Sequence, residues 1–340
     1  MSTIHFLNVL EGDCNIIQHS SGRVTVIDVS NAYNDEDTPA ELAVKNSDQR
    51  REMRLRTQVP STKTDYRQKH TPDNPIEYLA KIGVEKIFRF IITHPDMDHL
   101  DGIRDLYDEF GIINTWDTDN NKEIDSESFG GGYNCEDWEF YKDLRDGKYA
   151  GTKRLTPFSG DSNDFWNKDG LKILCPTSEL LRQANEGGNY NDSSYAILYS
   201  HAKENGDVWK ILFAGDTHDD SWDYIMENYA SEVSNVDVLF APHHGRDSDR
   251  DYGFLEIVNP KITLFGNADS KHLAYDCYPE TRITNNQAGY IILDINKTRM
   301  NIFVKNQEFA NDFRRNPKRN WTDSTYNHEL DAWLLGGFNA

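Results

Sequence analysis

The sequence predicts an α+β fold in which two sheets pack together with helices on the outside. Short apolar strands recur along the whole chain, and helical periodicities fall between them. With 340 residues, 37% of them hydrophobic and 12% aromatic, the chain can bury the core such layers need.

The first segment, HFLNVLEGDCNIIQ, alternates apolar and polar residues and turns at Gly12-Asp13. RVTVIDVS follows the Ser20-Ser21-Gly22 turn, so the chain opens as a predicted β-hairpin. From about Asn31 to Asn74 the sequence is polar and lacks periodicity, which marks an insertion. Its Lys45–Lys69 part carries eight Lys/Arg against three Asp/Glu.

Ile76, Leu79, Ala80 and Ile82 mark an amphipathic helix that Gly83 ends, and KIFRFIIT is a buried strand after it. Leu100 to Phe110 is again helical, so the segment HPDMDH is the loop of a strand–loop–helix unit. Asp117 to Gly151 is rich in Asn, Asp, Glu and Gly, and predicts a second irregular insertion with a short helix around Trp138–Leu144. Strands return at LKILCP, SSYAILYS, WKILFAGD, DVLFAPHHG, KITLFGN and GYIILDI, with a helix over Ser221–Tyr229. The expected organisation is one domain over 1–308, with insertions at about 31–74 and 117–151. A C-terminal tail over 309–340, basic and then aromatic, is expected to be a packed helix.

No apolar run approaches the ~20 residues of a membrane helix. The start MSTIHFLNVLEGD lacks a signal peptide's basic and long apolar parts, so no membrane partner and a cytoplasmic location are expected. Cys14, Cys135, Cys175 and Cys277 are widely spaced without a CxxC pair, and are expected to be buried thiols rather than disulfides or a zinc knuckle. The formal net charge of −21 repels nucleic acid at long range, so charge alone gives no support to a general nucleic-acid binder.

The chemistry concentrates after the apolar strands. His94-Pro95-Asp96-Met97-Asp98-His99 places four candidate ligands in six positions. Asp216 follows KILFA, His243 and His244 follow DVLFA, and His272 follows KITLFGN by a short loop. Separate buried strands delivering carboxylate and imidazole to one rim are what a carboxylate-bridged metal site requires. Bland roles compete at the neighbours. Asp28 and Asp13 are expected to organise loops, Asp101 to cap a helix, and His218 to be near the site but exposed.

In this order the motifs resemble the metallo-β-lactamase superfamily, whose HxHxDH signature appears here as HPDMDH with Asp96 in place of the second histidine. More narrowly, LNVLEGDCNII, RVTVIDVS, ITHPDMDHLDGI, NDSSYAILYS, ILFAGD and VDVLFAPHHG resemble the β-lactamase-like domain of ComEC-type competence proteins, over most of residues 3–295. The resemblance implies a four-layer αββα sandwich with one or two divalent metal ions at one edge. It implies that His94 and Asp96 bind the first ion, Asp98 and His99 the second, and that Asp216 bridges them. His272 falls where the family's last histidine does, as ligand or as surface residue. The family's third histidine has no match, and only Asn191 or Asp192 stands at that strand start. His243 and His244 then either ligate in compensation or hold phosphate and protonate a leaving group.

The implied function is a metal-dependent hydrolase using a metal-bound hydroxide oriented by Asp98, with a phosphodiester substrate, nucleic acid or nucleotide, as its partner. Carboxylate in place of imidazole at Asp96 makes the site harder and shifts preference from Zn²⁺ toward Mn²⁺ without excluding zinc. Two alternatives stand beside it. A small-molecule acyl or lactone hydrolase suits the acidic surface, and a binding module that has lost catalysis suits the missing histidine.

Overall fold

The computed structural model describes residues 1–34, 66–125, 129, 133–268 and 273–340. Residues 45–65 of the basic stretch in the first insertion, and His272, lie outside the described residues. The first half comprises β1 (Ser2–Phe6), β2 (Asn15–Gln18), β3 (Val24–Ile27), α1 (Pro75–Lys81), β4 (Lys86–Ile91), α2 (Ile103–Glu109), β5 (Gly111–Trp116), α3 (Cys135–Arg145) and β6 (Lys153–Leu155). The second comprises α4 (Asp164–Lys168), β7 (Leu171–Cys175), α5 (Ser178–Gly187), β8 (Ala196–Ala202), β9 (Val208–Phe213), α6 (Asp219–Val233), β10 (Val238–Phe240), α7 (Phe254–Val258), β11 (Ile262–Phe265), β12 (Arg282–Thr284) and α8 (Asn285–Ala288). The chain then returns to the first sheet through β13 (Ile291–Ile295), β14 (Arg299–Val304), α9 (Gln307–Arg315), β15 (Tyr326–Asn327) and β16 (Ala332–Asn339).

The strands form two sheets, in the orders β15-β16-β14-β13-β1-β2-β3-β4-β5-β6 and β12-β11-β10-β9-β8-β7. Their side chains alternate between layers, because successive residues of a strand face opposite ways. Ile27 and Ile91 from the larger sheet meet Ile211, Phe213, Phe240 and Leu264 from the smaller one in a central core. On the outer face of the larger sheet, Val26 and Phe90 pack with Ile76, Leu79, Leu106 and Trp138 of α1, α2 and α3. On the outer face of the smaller sheet, Leu212 and Leu239 pack with Leu180, Trp222, Ile225 and Phe254 of α5, α6 and α7. The order is therefore helix, sheet, sheet, helix. Strands buried on both faces explain why KIFRFIIT and DVLFA are apolar runs rather than alternating patterns.

Within each sheet one block is parallel: β3-β4-β5-β6 in the larger and β9-β10-β11-β12 in the smaller. Loops leaving the carboxyl ends of parallel strands are where open α/β sheets present ligands. Here the loops after β3, β4, β9 and β10 converge.

The helix expected around Trp138–Leu144 is present and longer, whereas the tail differs from the sequence reading. The 117–151 stretch is less irregular than its composition suggests, since α3 spans Cys135–Arg145 and buries Trp138, Tyr141 and Leu144. Asp137 of α3 accepts from the Gly102 and Arg104 backbone N–H groups at the start of α2, and burial pushes its carboxyl up to about 7. The tail is not the packed helix expected for 309–340. Helix α9 stops before Pro317, and β16 then pairs antiparallel with β14, from Arg299↔Asn339 to Val304↔Trp333. The aromatic and leucine residues that suggested a helix form a strand, with Leu335 in the central core and Leu334 packed on the outer face. Among the described residues, no helix is long and apolar enough to cross a membrane.

Far from the converging loops, Arg89 of β4 is fully buried. Its guanidinium lies 3.2 Å from Asp169 Oδ2, donates to Thr25 Oγ1 at 2.8 Å and stacks 4.9 Å above Trp116. Burial pushes Arg89 down to about 10.

Candidate metal centre

Each candidate ligand sits one to a few residues beyond a strand end, where the ladder stops and the backbone can turn. His94 follows β4, and Met97–His99 make a single 3-10 turn that brings His99 back under the sheet edge. Asp216 follows β9. The Asp216 backbone N–H donates to Ser194 Oγ at 3.1 Å, which fixes the turn. After β10, His243, His244 and Gly245 take consecutive left-handed conformations, with φ of 53°, 55° and 82°. That turn sends the two imidazoles to different places.

Asp216 is the hub. Its Oδ1 lies 3.5 Å from His99 Nε2, and its Oδ2 lies 3.7 Å from His94 Nε2, 3.6 Å from His244 Nε2 and 3.7 Å from His243 Nε2. Asp98 Oδ2 stands 3.4 Å from His244 Nε2 and 3.9 Å from His99 Nε2. Three groups emerge that are close enough to share an ion: His94, His99 and Asp216; Asp98, His99 and His244; and Asp13, Asp216 and His244.

The outer partners are equally specific. His99 Nδ1 meets Asp28 Oδ2 at 2.9 Å, while Asp28 also accepts from the Thr93 backbone N–H and Thr93 Oγ1. His244 Nδ1 stands 3.2 Å from Asp13 Oδ1. A carboxylate behind a ligating imidazole sets its tautomer and orientation. Asp28 therefore organises the loop, as its position at the hairpin end suggested, and Asp13 comes closer than a turn residue would.

Several buried atoms in this cluster have no hydrogen-bond partner: His94 Nε2, His99 Nε2, His244 Nε2 and Asp216 Oδ1. Orphaned buried polar atoms are costly unless something else satisfies them. Two ligands each ~2.1 Å from a tetrahedral ion stand roughly 3.4 Å apart. The measured separations, 3.4–3.9 Å and not aligned as hydrogen bonds, suit atoms facing a shared cation. The residues present therefore fit a divalent ion.

Electrostatics agrees. Burial, the largest single influence, opposes charge on His99 and His244, but the surrounding carboxylates together outweigh it: Asp216, Asp28 and Asp98 at the first, Asp216, Asp13 and Asp98 at the second. His99 is held well above the ordinary imidazole range and His244 is raised to about 10. Burial alone would raise Asp216, but His244, His99 and His94 pull it well below the usual carboxylate range. The cluster thus attracts positive charge, which a divalent ion supplies in place of protons.

Asp96 stands apart. Its Oδ2 is 3.7 Å from His94 Nε2, but Oδ1 is gripped by the Lys122 ammonium. It joins none of the three groups above. His243, 19% exposed at its side chain, faces His218 Nε2 at 3.4 Å and Ser248 Oγ at 3.5 Å, and burial pushes it down to about 4. His218 is half-buried beside it. At the missing-histidine position, Asp192 accepts from Asn189 and faces Asp219, Asp220 and Arg250, and the three groups contain neither it nor Asn191. Asp101 accepts from the Asn31 backbone N–H at 2.9 Å. Lys122 is the residue at the site that sequence reasoning missed. It lies in a polar loop, and nothing in that loop's composition singles it out.

Gly12 ties the first hairpin to this loop. Its φ is +74°, and a Cβ there would stand 1.6 Å from the Asp98 carbonyl oxygen. Gly12→Ala is expected to push the Asp98–His99 turn aside and weaken metal binding by about 10- to 100-fold, the usual cost of disturbing what orients a metal ligand. Metal titration against a chelating dye checks this, and unchanged affinity would contradict it.

The layer order and the edge position of the cluster are those that the sequence resemblance led us to expect. No family profile and no curated protein matches the chain. Among solved structures it is similar to Igni18, a metallo hydrolase from the hyperthermophilic archaeon Ignicoccus hospitalis KIN4/I, at 12% identity over 86% of this chain and 100% of that one, with a TM-score of 0.41. It is also similar to a long form RNase Z from yeast, at 13% identity over 83% of this chain and 40% of that one, and to the CmlA β-hydroxylase E377D mutant, at 10% over 78% and 45%, each with a TM-score of 0.36. The chain spans less than half the length of the last two.

Proposed function

We propose that this protein is a metal-dependent hydrolase of phosphodiesters, a nuclease or nucleotide phosphodiesterase, that works at the Asp216-centred cluster. The observation that carries the reading is the set of buried, unpartnered imidazole and carboxylate atoms of His94, His99, His244 and Asp216. His94, His99, Asp98, Asp216 and His244 would hold one or two divalent ions, Zn²⁺ or Mn²⁺, with Asp96 and His243 at the border and His272 as a further candidate. When bound, such an ion lowers the pKa of water toward neutrality and neutralises charge on the attacked group.

The chain's own groups do the rest. Asp98, 22% exposed at its side chain and 3.4 Å from His244 Nε2, can orient a water at the cluster. His243 is neutral at pH 7 and offers a hydrogen bond to a departing oxygen. His244, buried with Asp13 3.2 Å behind its Nδ1 and with its Nε2 turned toward the cluster, serves as a fixed ligand rather than a mobile proton donor. The net charge of −21 supports a second reading, hydrolysis of neutral esters or lactones, since such substrates feel no long-range repulsion.

Incubation with single- and double-stranded DNA, RNA and cyclic nucleotides, with Mn²⁺ or Zn²⁺, decides between them. Metal-dependent cleavage is expected, falling by more than about a hundredfold in Asp98→Ala. Turnover of neutral esters alone would favour the second reading. Less than about half an equivalent of bound metal would favour a binding module without catalysis.

A further inference from the structure

The three ligand groups compete for the same atoms. His99 Nδ1 is committed to Asp28 at 2.9 Å, so only Nε2 faces the cluster. An imidazole nitrogen offers one lone pair and serves one ion. His99 nevertheless belongs both to the group with His94 and to the group with Asp98. The Asp98 side is the better furnished. Asp98 Oδ2 stands 3.4 Å from His244 Nε2 and 3.9 Å from His99 Nε2, and Asp216 stands 3.6 and 3.5 Å from the same two nitrogens. Those four side chains complete a coordination set. An ion there leaves His94 only a share of Asp216, because His243, Asn191 and Asp192 join none of the groups among the described residues. That falls short of the roughly three ligands a catalytic ion usually takes from the protein. The carboxylate able to make up the set is Asp96, whose Oδ2 lies 3.7 Å from His94 Nε2, and it is the one that Lys122 holds. Lys122 is fixed in that place. Its carbonyl oxygen accepts from the Arg145 guanidinium of α3 at 2.6 Å, and the Asn121 backbone N–H before it donates to Asn185 Oδ1 of α5 at 2.9 Å. Its ammonium also lies 5.6 Å from the Tyr190 ring centre.

We infer that the cluster is built for one divalent ion, among Asp98, His99, Asp216 and His244, and that the Lys122 ammonium on Asp96 takes the place of a second. The inference rests on the reading of the cluster as a metal centre and fixes how many ions it holds. An ammonium supplies one positive charge and N–H donors, but it coordinates no water. Activation of water then falls to the single ion beside Asp98, while Lys122 offsets the charge of Asp96 and keeps that carboxylate from ligating.

Dialysis of the full chain against Mn²⁺, followed by elemental analysis and electron paramagnetic resonance, tests the inference without relying on turnover. The wild type is expected to hold about one equivalent and to give the spectrum of isolated Mn²⁺. Lys122→Met removes the charge and frees Asp96, so it is expected to take up about one equivalent more and to show a spin-coupled pair. Lys122→Arg keeps the charge and is expected to stay at one. The double variant Lys122→Met with Asp96→Ala is expected to return to one, which ties the added ion to Asp96. About two equivalents in the wild type, or an unchanged single equivalent in Lys122→Met, would overturn the inference and leave the metal centre standing. Less than about half an equivalent in the wild type would overturn both.

Discussion

Asp216→Ala is expected to empty the cluster of metal and to lower hydrolysis by more than the roughly 10- to 100-fold that loss of an outer partner costs. The expectation follows from position. Asp216 approaches four imidazoles, at 3.5, 3.6, 3.7 and 3.7 Å, and belongs to two of the three groups able to share an ion. Losing any one histidine removes a single ligand, whereas losing Asp216 removes the one carboxylate, among the described residues, that faces all four imidazoles. Asp216→Asn separates shape from charge and is expected to lose metal nearly as completely. Elemental analysis of both variants checks the first half. The cleavage assay checks the second, and thermal unfolding with and without chelator checks the metal independently, because an ion at about 100 times its dissociation constant stabilises the folded state by ~2.7 kcal/mol. The wild type should lose that increment on chelation, and the variants should show no response. Wild-type metal content in Asp216→Ala would remove Asp216 from its central place.

Much of this site was legible because ligands were tied to strand ends. KIFRFIIT, KILFA and DVLFA are apolar enough to identify buried strands, and a buried strand's end is where polar side chains can meet without crossing the core. That logic selected His94, Asp98, His99, Asp216 and His244 as candidates, and the structure brings these side chains together. It could not separate His243 from His244, since adjacent residues diverge here only because three consecutive residues adopt left-handed backbone. Nor could it find Lys122, whose partner Asp96 is 26 residues away, or rank Asp13, whose approach to His244 depends on the hairpin folding over β10's loop. The tail shows the complementary weakness. Trp333, Leu334 and Leu335 fit helix and strand alike at short range, and the open edge of β14 decided the outcome.

The largest stability effect is expected at the pair that least concerns catalysis. Asp169→Ala should destabilise the fold by about 3–5 kcal/mol, because it leaves the Arg89 guanidinium charged in a fully buried position. The same carboxylate accepts from Ser21 at 2.7 Å and from Arg23 at 2.7, 2.9 and 3.1 Å, so its loss also loosens the turn between β2 and β3. Most of the cost is the unpaired charge rather than the lost attraction. Removing both partners, as in Arg89→Met with Asp169→Leu, is therefore expected to recover most of the stability. Urea unfolding of the two variants measures this directly from the shift in midpoint at constant slope. A loss below about 1 kcal/mol in Asp169→Ala would mean that water reaches Arg89 and that the pair is no more than a surface contact.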